Sequence, residues 1–190
     1  MPTRLAIENR MTIPEFRALV DERPNGEHWE LVEGIAKKTP RWTMLHQAIV
    51  GNVAFGLRIA KERAHATWMP LLGIFIHVPA CKNSLPWPDI IVKERSLTGA
   101  KTTREAVVIV EVLSPFNRRS DQVWRKRMYA SVPNCRHYVT ASTKAALVER
   151  FDRANGWVGT MLRGLDETLD LPAIETTIPL KDIYRWTPVE

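Results

Sequence analysis

The sequence predicts a mixed α/β layer fold, not a regular doubly wound one, and three observations carry that expectation. Segments with helical spacing and short β-branched runs follow one another in the order helix, strand, helix, several strands, helix, strands. Ile90-Ile91-Val92 and Val107-Val108-Ile109-Val110 are apolar enough to be buried core strands. No repeat, low-complexity tract or linker divides the chain, so its 190 residues suit one domain with a sizeable core. That domain is expected over 11–190, preceded by a flexible arm over 1–10.

The elements follow in order. Thr12-Ile13-Pro14-Glu15 starts a helix: Thr12 caps it, Pro14 suits its first turn and Glu15 completes a capping box. Arg23-Pro24-Asn25-Gly26 is a turn. Trp29-Glu30-Leu31-Val32-Glu33-Gly34-Ile35 reads as one short strand, interrupted by Thr39-Pro40. Over residues 43–62, Leu45, Ile49, Val53, Leu57 and Ala60 share a helical face, with His46 in the first turns. Residues 68–78 are a strand pair or one long strand, and 79–86 a loop with breaker residues. The strand of Asp89 comes next, then a basic loop over 93–104, then the strand of Glu111. Ser120 or Asp121 opens a helix that Val132-Pro133-Asn134 breaks. Residues 136–141, 146–152 and 157–162 read as antiparallel C-terminal strands, with Arg153-Ala154-Asn155-Gly156 a turn between the last two. A short helix over 180–184 closes the chain.

A hydrophobic fraction of 45% and a charged fraction of 25% suit a soluble globular protein. No stretch approaches the roughly 18 consecutive apolar residues that cross a bilayer, and residues 1–10 lack the apolar run of a signal peptide. The expectation is a cytoplasmic protein without membrane association. Cys81 and Cys135 fit no metal or redox spacing and read as free thiols. The net charge of +6 is compatible with a polyanionic partner. Arg118, Arg119, Arg125, Lys126, Arg127 and Arg136 cluster around one predicted helix, which suits either a polyanion or a solvated helix face.

Two carboxylates stand out. Trp87-Pro88-Asp89-Ile90-Ile91-Val92 and Val107-Val108-Ile109-Val110-Glu111-Val112-Leu113-Ser114-Pro115 each place one acid on an apolar run. A buried carboxylate is costly unless it is paired or holds a metal. Two of them on neighbouring core strands point to a divalent-cation site and to phosphodiester hydrolysis.

The ordered set His28-Trp29-Glu30-Leu31-Val32-Glu33-Gly34, His46, Pro88-Asp89, Glu111-Val112-Leu113-Ser114-Pro115, Asp121, Tyr129 and His137-Tyr138-Val139 resembles the PD-(D/E)xK nuclease superfamily. More narrowly, it resembles the bacterial Uma family of restriction endonucleases, over nearly the whole chain. The resemblance implies a restriction-endonuclease-like fold, with a four- or five-stranded mixed sheet flanked by helices. It also implies a Mg²⁺ site (Mn²⁺ being the alternative ion), DNA as the polymer and no organic cofactor. Asp89 and Glu111 would supply the metal's carboxylates, with the carbonyl of Val112 a further ligand.

Glu30 matches the family's N-terminal glutamate: it is either a third acid at the metal or a solvent-facing strand residue. The superfamily's usual lysine, two residues after the second acid, is replaced here by Leu113. The family's helix lysine falls in register on Arg125, with Lys126 beside it. Val123, Trp124 and Met128 are expected to form the buried helix face, with Asp121, Arg125 and Tyr129 along its flank. Arg125 is then better placed, while Lys126 has the expected chemistry. Asp121 caps its helix or pairs with Arg125, and Tyr129 packs with its hydroxyl satisfied locally. Ser114 bonds a phosphate or caps a turn; His46 supports the site, contacts phosphate or is structural. Arg118, Arg119, Arg127, Arg136 and the loop residues Lys93, Arg95, Lys101 and Arg104 are candidate phosphate contacts. Cutting both strands of a duplex suits a homodimer, with Trp157, Met161 and Trp186 as candidate interface residues.

Overall fold

The computed structural model describes residues 6–7, 9–24, 27–39, 42–94, 98–114 and 119–189. The chain folds in the order β1 (Ala6–Ile7), α1 (Ile13–Asp21), β2 (Trp29–Val32), β3 (Ile35–Lys38), α2 (Met44–Arg63), β4 (Trp68–Leu72), β5 (Phe75–Ile76), β6 (Ile90–Glu94), β7 (Thr102–Thr103), β8 (Val108–Leu113), α3 (Arg119–Ala130), β9 (His137–Ser142), β10 (Leu147–Asp152), β11 (Gly159–Arg163), β12 (Thr168–Leu171), β13 (Thr176–Pro179) and α4 (Leu180–Ile183). The fold is mixed α+β, as the sequence predicts.

Its centre is a six-stranded sheet in the order β11-β10-β9-β8-β6-β4. All its pairs are antiparallel except β8–β9. Parallel neighbours need a crossover, and α3 lies on it. Strand alternation gives each side of the sheet its own core. Val108, Val110 and Val112 pack with Ile90 and Val92 against Ile49, Val53 and Leu57 of α2. On the opposite side, Ile91 and Ile109 pack with Tyr138 against Met128 and Tyr129 of α3. A third core joins Phe16 of α1 to Leu31, Ala36 and Leu85 under the small β1-β3-β2 sheet.

The capping box of α1 is present: Thr12 Oγ1 accepts from the Glu15 N–H, and the Thr12 N–H donates to Glu15 Oε2 at 2.7 Å. Several expectations are corrected. The segment expected as one strand from Trp29 to Ile35 is a hairpin, turning at Glu33 (φ 53°) and Gly34 (φ 83°). Two consecutive left-handed residues make the tight turn whose twist suits a hairpin. Within the expected N-terminal arm, the backbone of Ala6–Ile7 pairs antiparallel with β3. A further hairpin, β12–β13, occupies a stretch for which no element was expected; its Leu169 and Ile178 join the α2-side core. On α3, Val123 is 59% exposed, and the buried residues are Arg125, Met128 and Tyr129. An inward-facing arginine hides that face from a count of apolar spacing.

Candidate active site

Register brings two of the acids together. Ile90 of β6 lies opposite Val110 of β8, so Asp89, one residue before β6, comes beside Glu111. Asp89 is held from two sides. Its Oδ2 accepts from the backbone N–H of Val112 at 2.7 Å, and its Oδ1 lies 3.1 Å from His46 Nε2. A bond to a carboxylate puts the imidazole proton on Nε2, and His46 Nδ1 is buried without a partner among the described residues. Thr43 caps α2 by accepting from the His46 N–H, which fixes that first turn.

Glu30 arrives from β2 and is only 2% exposed. Its Oε1 accepts from the Trp87 N–H at 3.0 Å. Its Oε2 accepts from Arg125 Nη2 at 2.7 Å, while Arg125 Nη1 donates to Glu111 Oε1 at 2.6 Å. The planar guanidinium thus bridges two carboxylates from separate sheets. Tyr129, one turn further along α3, accepts from Arg125 Nη1 at 3.0 Å and donates to Glu111 Oε1 at 2.5 Å.

Among the described residues, the charges do not balance. Glu30 and Glu111 share the single buried guanidinium of Arg125, while the third acid, Asp89, has only His46 and the Val112 N–H as partners. Burial pushes the Glu111 carboxyl up, Arg125 pulls it down, and Asp89 and Glu30 push it up again, to about 8. Burial also opposes ionisation of Glu30, but Arg125, His28 and the Trp87 N–H outweigh it and hold that carboxyl below its usual range. Glu30 is therefore the firm partner of the guanidinium, while burial and the neighbouring acids favour the neutral form of Glu111. Burial opposes the charge on Arg125, but Glu111 and Glu30 raise it well above its ordinary value. Among the described residues, no three His, Cys, Asp or Glu side chains form a ready-made metal cage.

A cleft of about 220 Å³ opens onto Glu30 and Arg125. One wall is the β2–β3 hairpin, with Glu33 and Lys37; the other is the start of α3, with Ser120, Asp121 and Trp124. The Trp124 indole Nε1–H donates to Glu33 Oε1 at 3.0 Å and ties the walls together.

The structure therefore gathers Glu30, Asp89, Glu111, Arg125 and His46. The choice between Arg125 and Lys126 resolves geometrically, because Lys126 Nζ lies over the Phe151 ring, 4.9 Å from its centroid, and not at the acids. The carboxylate partners of Arg125 are Glu30 and Glu111, and Asp121 lines the cleft beside it. Ser114 is half-buried just past β8, and Arg119, Arg127 and Arg136 are exposed. Arg95 and Arg118 lie outside the described residues. Sequence reasoning expected the Tyr129 hydroxyl to be satisfied locally, as it is, but did not identify Arg125 and Glu111 as its partners. It gave no role of its own to His28, whose ring stacks on Trp87 at 4.0 Å, and did not single out Lys37, hidden by the unrecognised hairpin.

A mixed sheet with helices on both sides and acids at one end of its central strands is a nuclease-like architecture. A crystal structure from Anabaena variabilis, described as a putative nuclease, shares this fold with a TM-score of 0.74 at 14% identity, covering 93% of this chain and 98% of that one. In sequence, residues 13–180 match the Uma2 family, described as "Putative restriction endonuclease", and the chain belongs to that family. No curated protein matches it. Among the described residues, no helix is long and apolar enough to cross a membrane.

Proposed function

We propose that the protein hydrolyses DNA phosphodiester bonds with the help of a Mg²⁺ or Mn²⁺ ion held by Asp89 and Glu111, with Glu30 beside them. The observation that supports this most is the convergence of three carboxylates with side chains largely shielded from solvent: Glu30 and Glu111 on one guanidinium, and Asp89 beside them on His46. The donor set fits a hard divalent cation, since Mg²⁺ takes one or two carboxylates and completes its shell with water and phosphate. The carbonyl of Val112, next to Glu111 on β8, is a further oxygen donor. When bound, such an ion supplies Lewis acidity towards the phosphate. The chain's own residues do the rest. His46 and the Val112 N–H orient Asp89. Arg125 holds Glu30 and Glu111 in place and offers positive charge to the phosphate, but it stays protonated and takes no proton from water. Ser114, Arg119 and Arg127 contact the DNA backbone.

One observation favours a second reading. Leu113 stands where the superfamily has lysine, and the Arg125 guanidinium spans Glu30 and Glu111. A nuclease fold whose acids are spent on a structural arginine would bind DNA without cutting it. Cleavage of supercoiled plasmid with Mg²⁺, Mn²⁺ or EDTA, beside Asp89→Ala, separates the two. Nicking that needs the metal and vanishes in the variant supports the nuclease. A folded protein that shifts DNA in a salt-dependent manner but never cuts it supports the binding module.

A further inference from the structure

The geometry points to Lys37 as the residue that receives a phosphate of the nucleic-acid strand in the cleft above Arg125; this rests on the nucleic-acid reading proposed above. Lys37 is the direct cross-strand partner of Glu30 on the β2–β3 hairpin. Opposed residues in an antiparallel pair project from the same face, so Lys37 lies on the face from which Glu30 meets Arg125. Its side chain lines the cleft together with Glu30 and Arg125.

The other charges lining the cleft are already committed, Asp121 included. Arg125 donates to Glu30, Glu111 and Tyr129. Glu33 accepts from Trp124. The neighbouring Lys38 shows the alternative fate of a lysine on this strand. It is bound by Glu27 and lies over the Trp29 ring, on the other face of the hairpin. Lys37 has no ion pair or hydrogen bond to any described residue, although it is half-buried. A half-buried ammonium facing a cleft, hydrogen-bonded to none of the described carboxylates, is suited to an anion that arrives from solvent. A phosphodiester oxygen seated on Lys37 would lie on the approach to Arg125 and the acids behind it. Lys37 thus places the strand, while Arg125 and the carboxylates face its reacting group.

The test begins with the wild-type protein. Lysines are acylated with a small water-soluble reagent, with and without a short single-stranded oligonucleotide or inorganic pyrophosphate, and the modified positions are read by mass spectrometry. Lys37 should react in the free protein and be protected by both probes, while exposed Lys181 stays reactive. Lys37→Met should weaken oligonucleotide binding about tenfold, the loss typical of one charge-assisted contact. It should also lower the slope of log affinity against log salt by about one phosphate's share. Lys37→Arg should restore both. If Lys37 acylates equally with and without both probes, or if Lys37→Met binds with unchanged affinity and slope, the assignment is overturned. Its failure is separable from that of the nuclease reading. Protection without metal-dependent cleavage keeps Lys37 and removes the nuclease; cleavage indifferent to Lys37→Met does the reverse.

Discussion

Replacing Arg125 with leucine takes away the one cation shared by Glu30 and Glu111 while keeping an apolar side chain on α3. The guanidinium makes two charge-assisted bonds, at 2.6 and 2.7 Å, and a third to Tyr129 at 3.0 Å. At about 1.5–3 kcal/mol per charged bond, the carboxylate contacts alone reach roughly 3–6 kcal/mol. Breaking one side of a buried ion pair costs about 3–5 kcal/mol. The two routes agree on a loss of about 4 kcal/mol, a large part of the roughly 5–15 kcal/mol that holds a domain together. The loss also depends on pH. Without the guanidinium, both carboxyls titrate above their unfolded values, so the folded variant binds more protons than its unfolded chain. Its stability then falls as pH rises. Urea unfolding at about pH 5.5 and about pH 8 should show the gap to wild type widening towards the alkaline side. A lysine in place of the arginine can reach only one carboxylate, so Arg125→Lys should fall between the two. A loss below about 1 kcal/mol at pH 8, flat across the range, would refute the account of Arg125 as the cation that permits burial of the acids.

Other outcomes follow from the same geometry. Glu111 in the folded state titrates near 8, above its unfolded value of 4.5, so its contribution to stability is fully present below the unfolded value and is lost as pH rises through about 8. Glu111→Gln should flatten that decline in urea titrations, and it should abolish metal-dependent nicking. Asp89→Ala leaves the Val112 N–H without its acceptor and should cost about 1–3 kcal/mol in thermal or urea unfolding. Asp89→Asn keeps an acceptor oxygen and should recover most of that stability without recovering cleavage. Tyr129→Phe removes only the hydroxyl between Arg125 and Glu111, and should cost about 1–2 kcal/mol with the fold intact by circular dichroism.

The large elements were legible in the sequence because their signals are local. The capping box at Thr12 and Glu15 marks α1, and the apolar spacing of Ile49, Val53 and Leu57 marks α2. The β-branched runs around Ile91 and Ile109 mark the central strands. Asp89 and Glu111 were conspicuous for the same reason, as acids within those runs. What escaped was set by tertiary pairing. The turn at Glu33-Gly34 lies inside a run that reads as continuous strand. β12 and β13 are too short to be distinguished by alternation, and they are held by packing on α2: Ile178 approaches so closely that a Cβ built on Gly56 would come within 3.1 Å of its Cγ2. The buried face of α3 was misjudged at Val123, because an arginine is counted as polar until its carboxylate partners are known.

The bridge across the acids also constrains the order of assembly. Arg125 lies 95 positions after Glu30 and 14 after Glu111. During synthesis, both carboxylates are therefore complete before the side chain that compensates them exists. Burying them earlier would leave both charges unpaired, which costs several kcal/mol each, so a growing chain keeps them in water until α3 docks. Contacts this distant in sequence are also slow to close. Helix α3 thus acts as a keystone: the small N-terminal sheet and strands β4, β6 and β8 can form separately, but they lock together at the acids only when Arg125 arrives.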